Sequence, residues 1–232
     1  MRKVGFIGKY DKIDLIMYIA KVLTCMGQKV LIIDTTTQQK ARYIVPAINP
    51  TVSYVTEFEQ IDVAVGFENM DNLAEYFGIN TINELEYDIA FIDIDTKEEL
   101  EKFNMQDSEK NYFISTFDVY SLKKGLEIFE EVKKPMKLTK ILFSKEMLKE
   151  EDDYLNYLSL EYKIIWEDHK IYFPFEEGDQ SAIFENQRIS KIKFANLTSQ
   201  YKESISYIVE ELNPKASSME IRRKMRVIEK EE

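Results

Sequence analysis

The chain has one cysteine, Cys25, and one histidine, His169, among 232 residues. A lone cysteine cannot form an intrachain disulfide or a cysteine-based zinc site. Set among Val22, Leu23 and Met26, Cys25 reads as a small core residue. A lone histidine leaves no Ser-His-Asp triad, Cys-His pair or multi-histidine metal centre unless a second chain supplies the rest. Lying in "EDHK" between two apolar runs, His169 reads as a turn residue. Glycine (seven) and proline (five) are scarce, and neither a linker nor an internal repeat is visible. The longest apolar stretches, "VLII" and "DLIMYIAKVL", are far short of the ~20 residues that span a bilayer. "MRKVGFIGKYD" has no long apolar region or small-residue cleavage site, so no secretory signal is expected and the expected address is cytoplasmic. Basic residues are outnumbered 42 to 31, a formal net charge of −11. That balance argues against a nucleic-acid partner, because neutralising phosphates needs a basic footprint.

What is present is an alternation of short apolar runs with longer helix-period stretches. Strands are predicted at 4–7, 30–33, 61–66, 89–93, 112–115 and 141–144, with a pair at 162–166 and 170–173. Helical patterns fall at about 13–26, 69–77, 97–103, 121–134, 146–159, 179–187 and 191–212. Gly27, just past the first helix, is a C-terminal stop. Strand, helix and strand in succession imply a right-handed parallel crossover. The whole pattern predicts a doubly wound α/β domain with a mainly parallel sheet flanked by helices. One domain over 1–213, followed by a short charged tail over 214–232, accounts for the chain. The acidic run "KEEDD" at 149–153 reads as a solvated helix start.

The first strand-to-helix junction, "VGFIGKYDKID", is where a phosphate-binding P-loop would sit. Such a loop works because glycines let backbone N–H groups curl around phosphate oxygens at a helix N-terminus. Its lysine reaches the terminal phosphates and the following Ser or Thr ligates magnesium. With Lys12 placed as that lysine, Asp11 stands where the last glycine belongs and Ile13 where the hydroxyl belongs. Phe6 replaces the leading glycine, and only Gly8 remains inside the loop, followed by Lys9. Asp11 brings a carboxylate to the place where phosphate charge would collect, and could itself satisfy the exposed N–H groups as a built-in anion. Ile13 cannot coordinate magnesium. Asp14, in the first helical turn, is explained by the helix dipole. Asp34 and Asp93 end apolar strands, where acids either hold a metal or cap neighbouring loops. Asp88 and Asp95, flanking Asp93, read as turn or solvent-facing residues.

"GKYDKIDLIMYIAKVLTCMGQKVLIIDTTTQ" resembles the opening of the ParA/MinD family of deviant Walker-A P-loop ATPases. Gly27, Val30, Leu31, Asp34 and Gln38 match that family's second motif in order, with Thr36 in place of its second acid. "YDIAFIDID" resembles the Walker-B strand and sets Asp93 at the magnesium-holding position. "YFPFEEGDQSAIFENQRI" resembles the adenine-contacting segment through Pro174 and Glu176, and "KILFSKE" the strand before it, with Ser144 where an adenine-contacting Asn belongs. Ile7 stands where the family's signature lysine reaches across the dimer. The resemblance covers roughly residues 3–212 and implies the ParA/MinD fold. In its degenerate loop the chain is closest in character to TadZ- and CpaE-like pilus-assembly members.

The resemblance implies a degenerate nucleotide site at Gly8, Lys9, Asp11, Lys12, Ile13, Asp34, Asp93 and Pro174, with no catalytic residue and no metal ligand assigned. It further implies a homodimer and protein partners in a spatial-positioning, pilus or secretion-type assembly. The leading expectation is a non-hydrolysing scaffold that needs no cofactor, with room for ATP and magnesium only at low affinity. The alternatives are a slow Mg-ATP-dependent dimerisation switch and an adaptor recruited to the inner face of the membrane through the tail. In "SSMEIRRKMRVIEKEE", Ile221, Met225 and Ile228 share one helical face beside Arg222, Arg223, Lys224 and Arg226. This faintly resembles the membrane-targeting helix of MinD, but about three turns ending in acids predict only marginal membrane affinity. A helix packed on its own domain or on a partner is the preferred reading.

Overall fold

The computed structural model describes residues 1–48, 51–144 and 149–231. In chain order the elements begin β1 (Arg2–Ile7), α1 (Ile13–Cys25), β2 (Val30–Asp34), α2 (Ala41–Ile44), β3 (Tyr54–Phe58), β4 (Ile61–Val65) and α3 (Met70–Tyr76). They continue with β5 (Ile89–Ile94), α4 (Lys97–Lys102), β6 (Lys110–Thr116), α5 (Val119–Glu127), β7 (Met136–Ser144) and α6 (Lys149–Leu158). The last are β8 (Ile164–Pro174), α7 (Glu177–Ile189), α8 (Ser199–Leu212) and α9 (Ser218–Glu231).

The eight strands form one sheet in the order β3-β4-β2-β5-β1-β6-β7-β8. Every neighbouring pair is parallel except β3 with β4, which is antiparallel. The central strands are buried on both faces, as a parallel sheet covered by helices requires. Side chains alternate along them: Val4, Phe6, Val30 and Ile32 enter one core layer with α1, α8 and α9. Ile7, Leu31 and Ile33 enter the other, with α3, α4, α5 and α6. This is the expected doubly wound α/β architecture, and it places the C-terminal ends of β1, β2 and β5 side by side, where open α/β sheets bind ligands.

Several expectations are corrected. The predicted strand pair 162–166 and 170–173 is one continuous strand, β8, so His169 is a strand residue rather than a turn residue. Trp166 pairs with Leu138 and Lys170 with Lys140, so β8 spends four residues where β7 spends two. The polar run "EDHK" is therefore a bulge, which lengthens a strand locally without ending it. His169 Nε2 contacts Glu211, and Lys110 pairs with both Glu167 and Glu211. The antiparallel strand β3 was not foreseen. The predicted helix 191–212 starts only at Ser199, where Thr198 caps it by accepting from Tyr201 N at 3.2 Å. The helix predicted at 121–134 ends at Glu127, and the onset predicted at 146 lies outside the described residues. In the "KEEDD" run, Asp152 is buried and bridges Lys140 and Lys170, each at 2.7 Å.

The segment expected as a charged tail holds α9, which packs on α8 and α1. Ile221, Met225 and Ile228 are buried there, and burying each such side chain contributes about 1.5–3 kcal/mol. Arg222, Arg223 and Arg226 face outward, and Arg222 reaches Glu203 at 3.0 Å. No described helix is long and apolar enough to cross a membrane.

Candidate functional site

The site is built where the chain leaves β1. Gly8 has a φ of +152°, and a Cβ there would lie 2.1 Å from the Ile114 carbonyl oxygen of β6. Only glycine permits that approach, and Gly8 N–H continues the ladder by donating to the Ile94 carbonyl at 3.0 Å. The four residues that follow carry the chain into α1, whose N-cap position is Lys12, without a side-chain cap.

Lys12, the lysine of the degenerate loop, is buried, 3% exposed. Its ammonium turns back under the loop, donating to the Gly8 carbonyl at 2.9 Å and lying 2.7 Å from Asp93 Oδ1. Burial pushes the Asp93 carboxyl up to about 7; the Lys12 charge opposes that rise, and the neighbouring charges of Asp34 and Asp11 add to it. The Lys12–Asp93 contact is an ion pair without a well-formed hydrogen bond on Oδ1. Pairs of this kind are costly to disrupt: leaving one partner uncompensated in a buried site costs about 3–5 kcal/mol.

Asp34 makes the contacts of a loop cap. Its Oδ1 accepts from Thr36 N at 3.0 Å and Thr36 Oγ1 at 2.6 Å, and its Oδ2 accepts from Ala41 N at 3.0 Å. Asp95, read as a turn or solvent-facing residue, is tied into the loop after β2: it accepts from Thr37 N at 3.0 Å and lies 3.6 Å from Lys9. Asp88 accepts from Lys29 N at 2.8 Å, as a turn residue does. Asp11 sits at the loop's outer rim, where Oδ1 faces Ile13 N at a long 3.4 Å and Oδ2 pairs with Lys40 at 2.5 Å. The built-in anion is thus half realised: one Asp11 oxygen approaches Ile13 N while the other is held by Lys40. Ile13 is buried and Ile7 lies in the core.

The structure accordingly brings Gly8, Lys12 and Asp93 together, with Asp34 and Asp11 near enough for their charges to act on Asp93. Lys9 is drawn aside by Asp95. Pro174, at the end of β8, lines a separate cavity of about 480 Å³ that opens beside the loop. Its walls include Tyr10, Phe143 and Phe175, whose rings touch at centroid distances of 4.7 to 6.3 Å. Asp14 lines it as well, accepting from Gln187 Nε2 at 2.8 Å. Burial raises the Asp14 carboxyl to about 6, against the lowering effect of that hydrogen bond. Burial and the charges of Asp11 and Asp14 push the Tyr10 hydroxyl up to about 12.

Tyr10, Lys40, Phe143 and Phe175 were missed in the sequence. Tyr10 and Phe143 lie 133 positions apart, beyond the reach of any local pattern, and only the parallel stacking of β1, β6, β7 and β8 joins them. In the sequence Asp14 reads as a helix-dipole residue, because its burial beside Gln187 of α7 leaves no local trace.

No protein-family model and no curated protein sequence matches the chain. Solved structures do. The MinD cell division protein of Aquifex aeolicus superposes with a TM-score of 0.58 at 13% identity, over 94% of this chain and 99% of that one. A putative plasmid partition protein of Borrelia burgdorferi bound to AMPPNP gives 0.54 at 12% identity, over 92% and 98%. A ParA family ATPase of Chlorobium tepidum gives 0.51 at 13% identity, over 95% of each chain. Identity this low carries architecture alone. The chain has the ParA/MinD-type P-loop NTPase fold.

Proposed function

We propose that this chain is a non-hydrolysing scaffold on the ParA/MinD fold, working in a spatial-positioning or assembly role through protein–protein contacts. The observation that carries the reading is the Lys12 ammonium, folded inward between the Gly8 carbonyl and Asp93. A phosphate claiming Lys12 would have to replace Asp93, stranding a buried carboxylate next to added negative charge. Magnesium could offset that charge, but Ile13 offers it no hydroxyl. Asp11 and Asp34 make the approach to the loop still more acidic. Phosphoryl transfer depends almost entirely on positioning and electrostatic stabilisation, and both are missing from this loop.

The alternative, a slow Mg-ATP switch, keeps one supporting fact: Lys12, Asp34 and Asp93 remain clustered at the strand ends. A membrane-recruited adaptor is disfavoured by α9, whose apolar face is already used against α1 and α8. Calorimetry with ATP, with and without magnesium, together with a turnover assay, tests the reading. The expected result is no saturable heat and no hydrolysis above background. Turnover that disappears in Lys12→Ala would overturn it.

A further inference from the structure

The cavity beside the loop has a chemistry of its own. Its lining includes five carboxylates, those of Asp11, Asp14, Glu176, Glu177 and Asp179, and one cation, Lys40. Three of the five are engaged locally: Asp179 holds the α8 cap residue by accepting from Thr198 N at 2.6 Å and Thr198 Oγ1 at 2.8 Å, Asp11 holds Lys40, and one oxygen of Asp14 accepts from Gln187. Asp14 lies at the inner wall beside Tyr10, while Glu176 and Glu177 are exposed at the mouth. The same cavity is lined by Tyr10, Phe143 and the half-exposed Phe175, whose rings touch one another. At about 480 Å³ the cavity has the size of a ligand site.

We propose that this cavity binds an organic cation, a guanidinium or ammonium group held between the aromatic wall and the carboxylates of Asp14, Glu176 and Glu177. Aromatic faces attract cations through the ring quadrupole, and a planar guanidinium can stack on a ring while pairing with a carboxylate at its edge. The chain already places one ammonium at the rim, that of Lys40 on Asp11. An anionic ligand is opposed by the same charges. A metal ion is a poorer fit, because the one metal-capable grouping among the described residues, Glu167 with His169 and Glu211, lies elsewhere. A cation next to Asp14 also removes the cost of ionising a carboxyl that burial raises to about 6. Besides Asp14, the ionisable groups lining the cavity are Tyr10, Asp11, Lys40, Asp179, Glu176, Glu177 and Tyr201. Protonation of Asp14 therefore weakens the site as pH falls through about 6.

A polypeptide source, an arginine side chain of a partner, rests on the scaffold reading above; the cation chemistry does not. The test is calorimetry of the full chain with agmatine, with a short peptide carrying one arginine, and with the same peptide carrying neutral citrulline, at low salt and pH 7.5. Saturable binding of agmatine is expected, weakening about tenfold in Asp14→Asn and in Phe175→Ala, and unchanged in Glu203→Gln on the outer face of α8. Citrulline in place of arginine should abolish peptide binding. A peptide about tenfold tighter than agmatine assigns the site to a polypeptide, and equal affinities assign it to a small cation. No saturable heat with either probe overturns the proposal, as does equal binding of the citrulline peptide or an unaltered affinity in both cavity variants. ATP added as competitor keeps this result separate from the fate of the scaffold reading, since nucleotide binding would show as its own heat.

Discussion

Asp14 is a carboxylate held where water is scarce, and the Gln187 amide, the Lys40 charge and a backbone N–H only partly compensate its burial. Its raised proton affinity means that between about pH 4 and pH 6 the folded chain binds more protons at this position than the unfolded chain. Stability therefore falls as pH rises through that window, and remains lower above it, by up to about 3 kcal/mol from this one group. Asp93 acts in the same direction, over a window reaching up to about pH 7. Asp14→Asn keeps an oxygen for Gln187 and removes the charge. It should raise stability at pH 7.5, leave it nearly unchanged at pH 4, and flatten the slope between. Urea denaturation of both proteins across that range measures this; parallel pH profiles would refute the assignment. Lys12 shows the limit of reading single residues. Its identity and position were visible, but its burial follows from contacts with Asp93, 81 positions away on the adjacent strand.

At the scale of elements, α9 makes the sharpest claim. Its apolar spacing was visible in the sequence, and the structure shows Ile221 fully buried while Arg223 faces solvent. Ile221→Ala should cost about 2–5 kcal/mol through transfer and cavity terms, whereas Arg223→Ala should stay within about 0.5 kcal/mol. Equal effects of the two, in chemical denaturation, would show that α9 does not dock as described. The central strands were legible because they are near-continuous Val, Ile, Leu and Phe runs, which only a doubly covered parallel strand tolerates. β3 was not, because "YVTEF" is short and half-buried and gains its order from pairing with β4. The start of α8 was misplaced because residues 191–198, an irregular segment with Ile192, Phe194 and Leu197 buried, contain no glycine or proline to mark a break before the cap at Thr198.

For the whole molecule, the charge of −11 acts against self-association. Two such chains meeting through the face of the Lys12 loop would also bring Asp11 and the acidic cavity rim together. A homodimer is expected to be weak and to tighten with salt, as the screening length falls from about 30 Å at 0.01 M to about 3 Å at 1 M. Sedimentation velocity across that range is the measurement, and a strict monomer throughout would rule the dimer out. The same charge pattern explains why site chemistry was harder to read than architecture. Architecture depends on apolar period, which is local, whereas the sign of the field in the cavity depends on acids from two segments more than 160 positions apart, with Lys40 from a third.

The bulge in β8 has a consequence for how copies of the chain can meet. β8 is the last strand of the sheet, and an outermost strand is a template on which another chain can lay a strand of its own. Here the template is spoiled twice. The four-for-two step against β7 bends the backbone, and the bend carries Glu167, exposed Asp168 and Lys170. An incoming strand would have to follow an irregular ladder past fixed charges. Neighbouring Ile165, about half exposed, is thereby kept from seeding edge-to-edge stacking at this edge of the sheet, so any strand addition is directed to the opposite edge at β3.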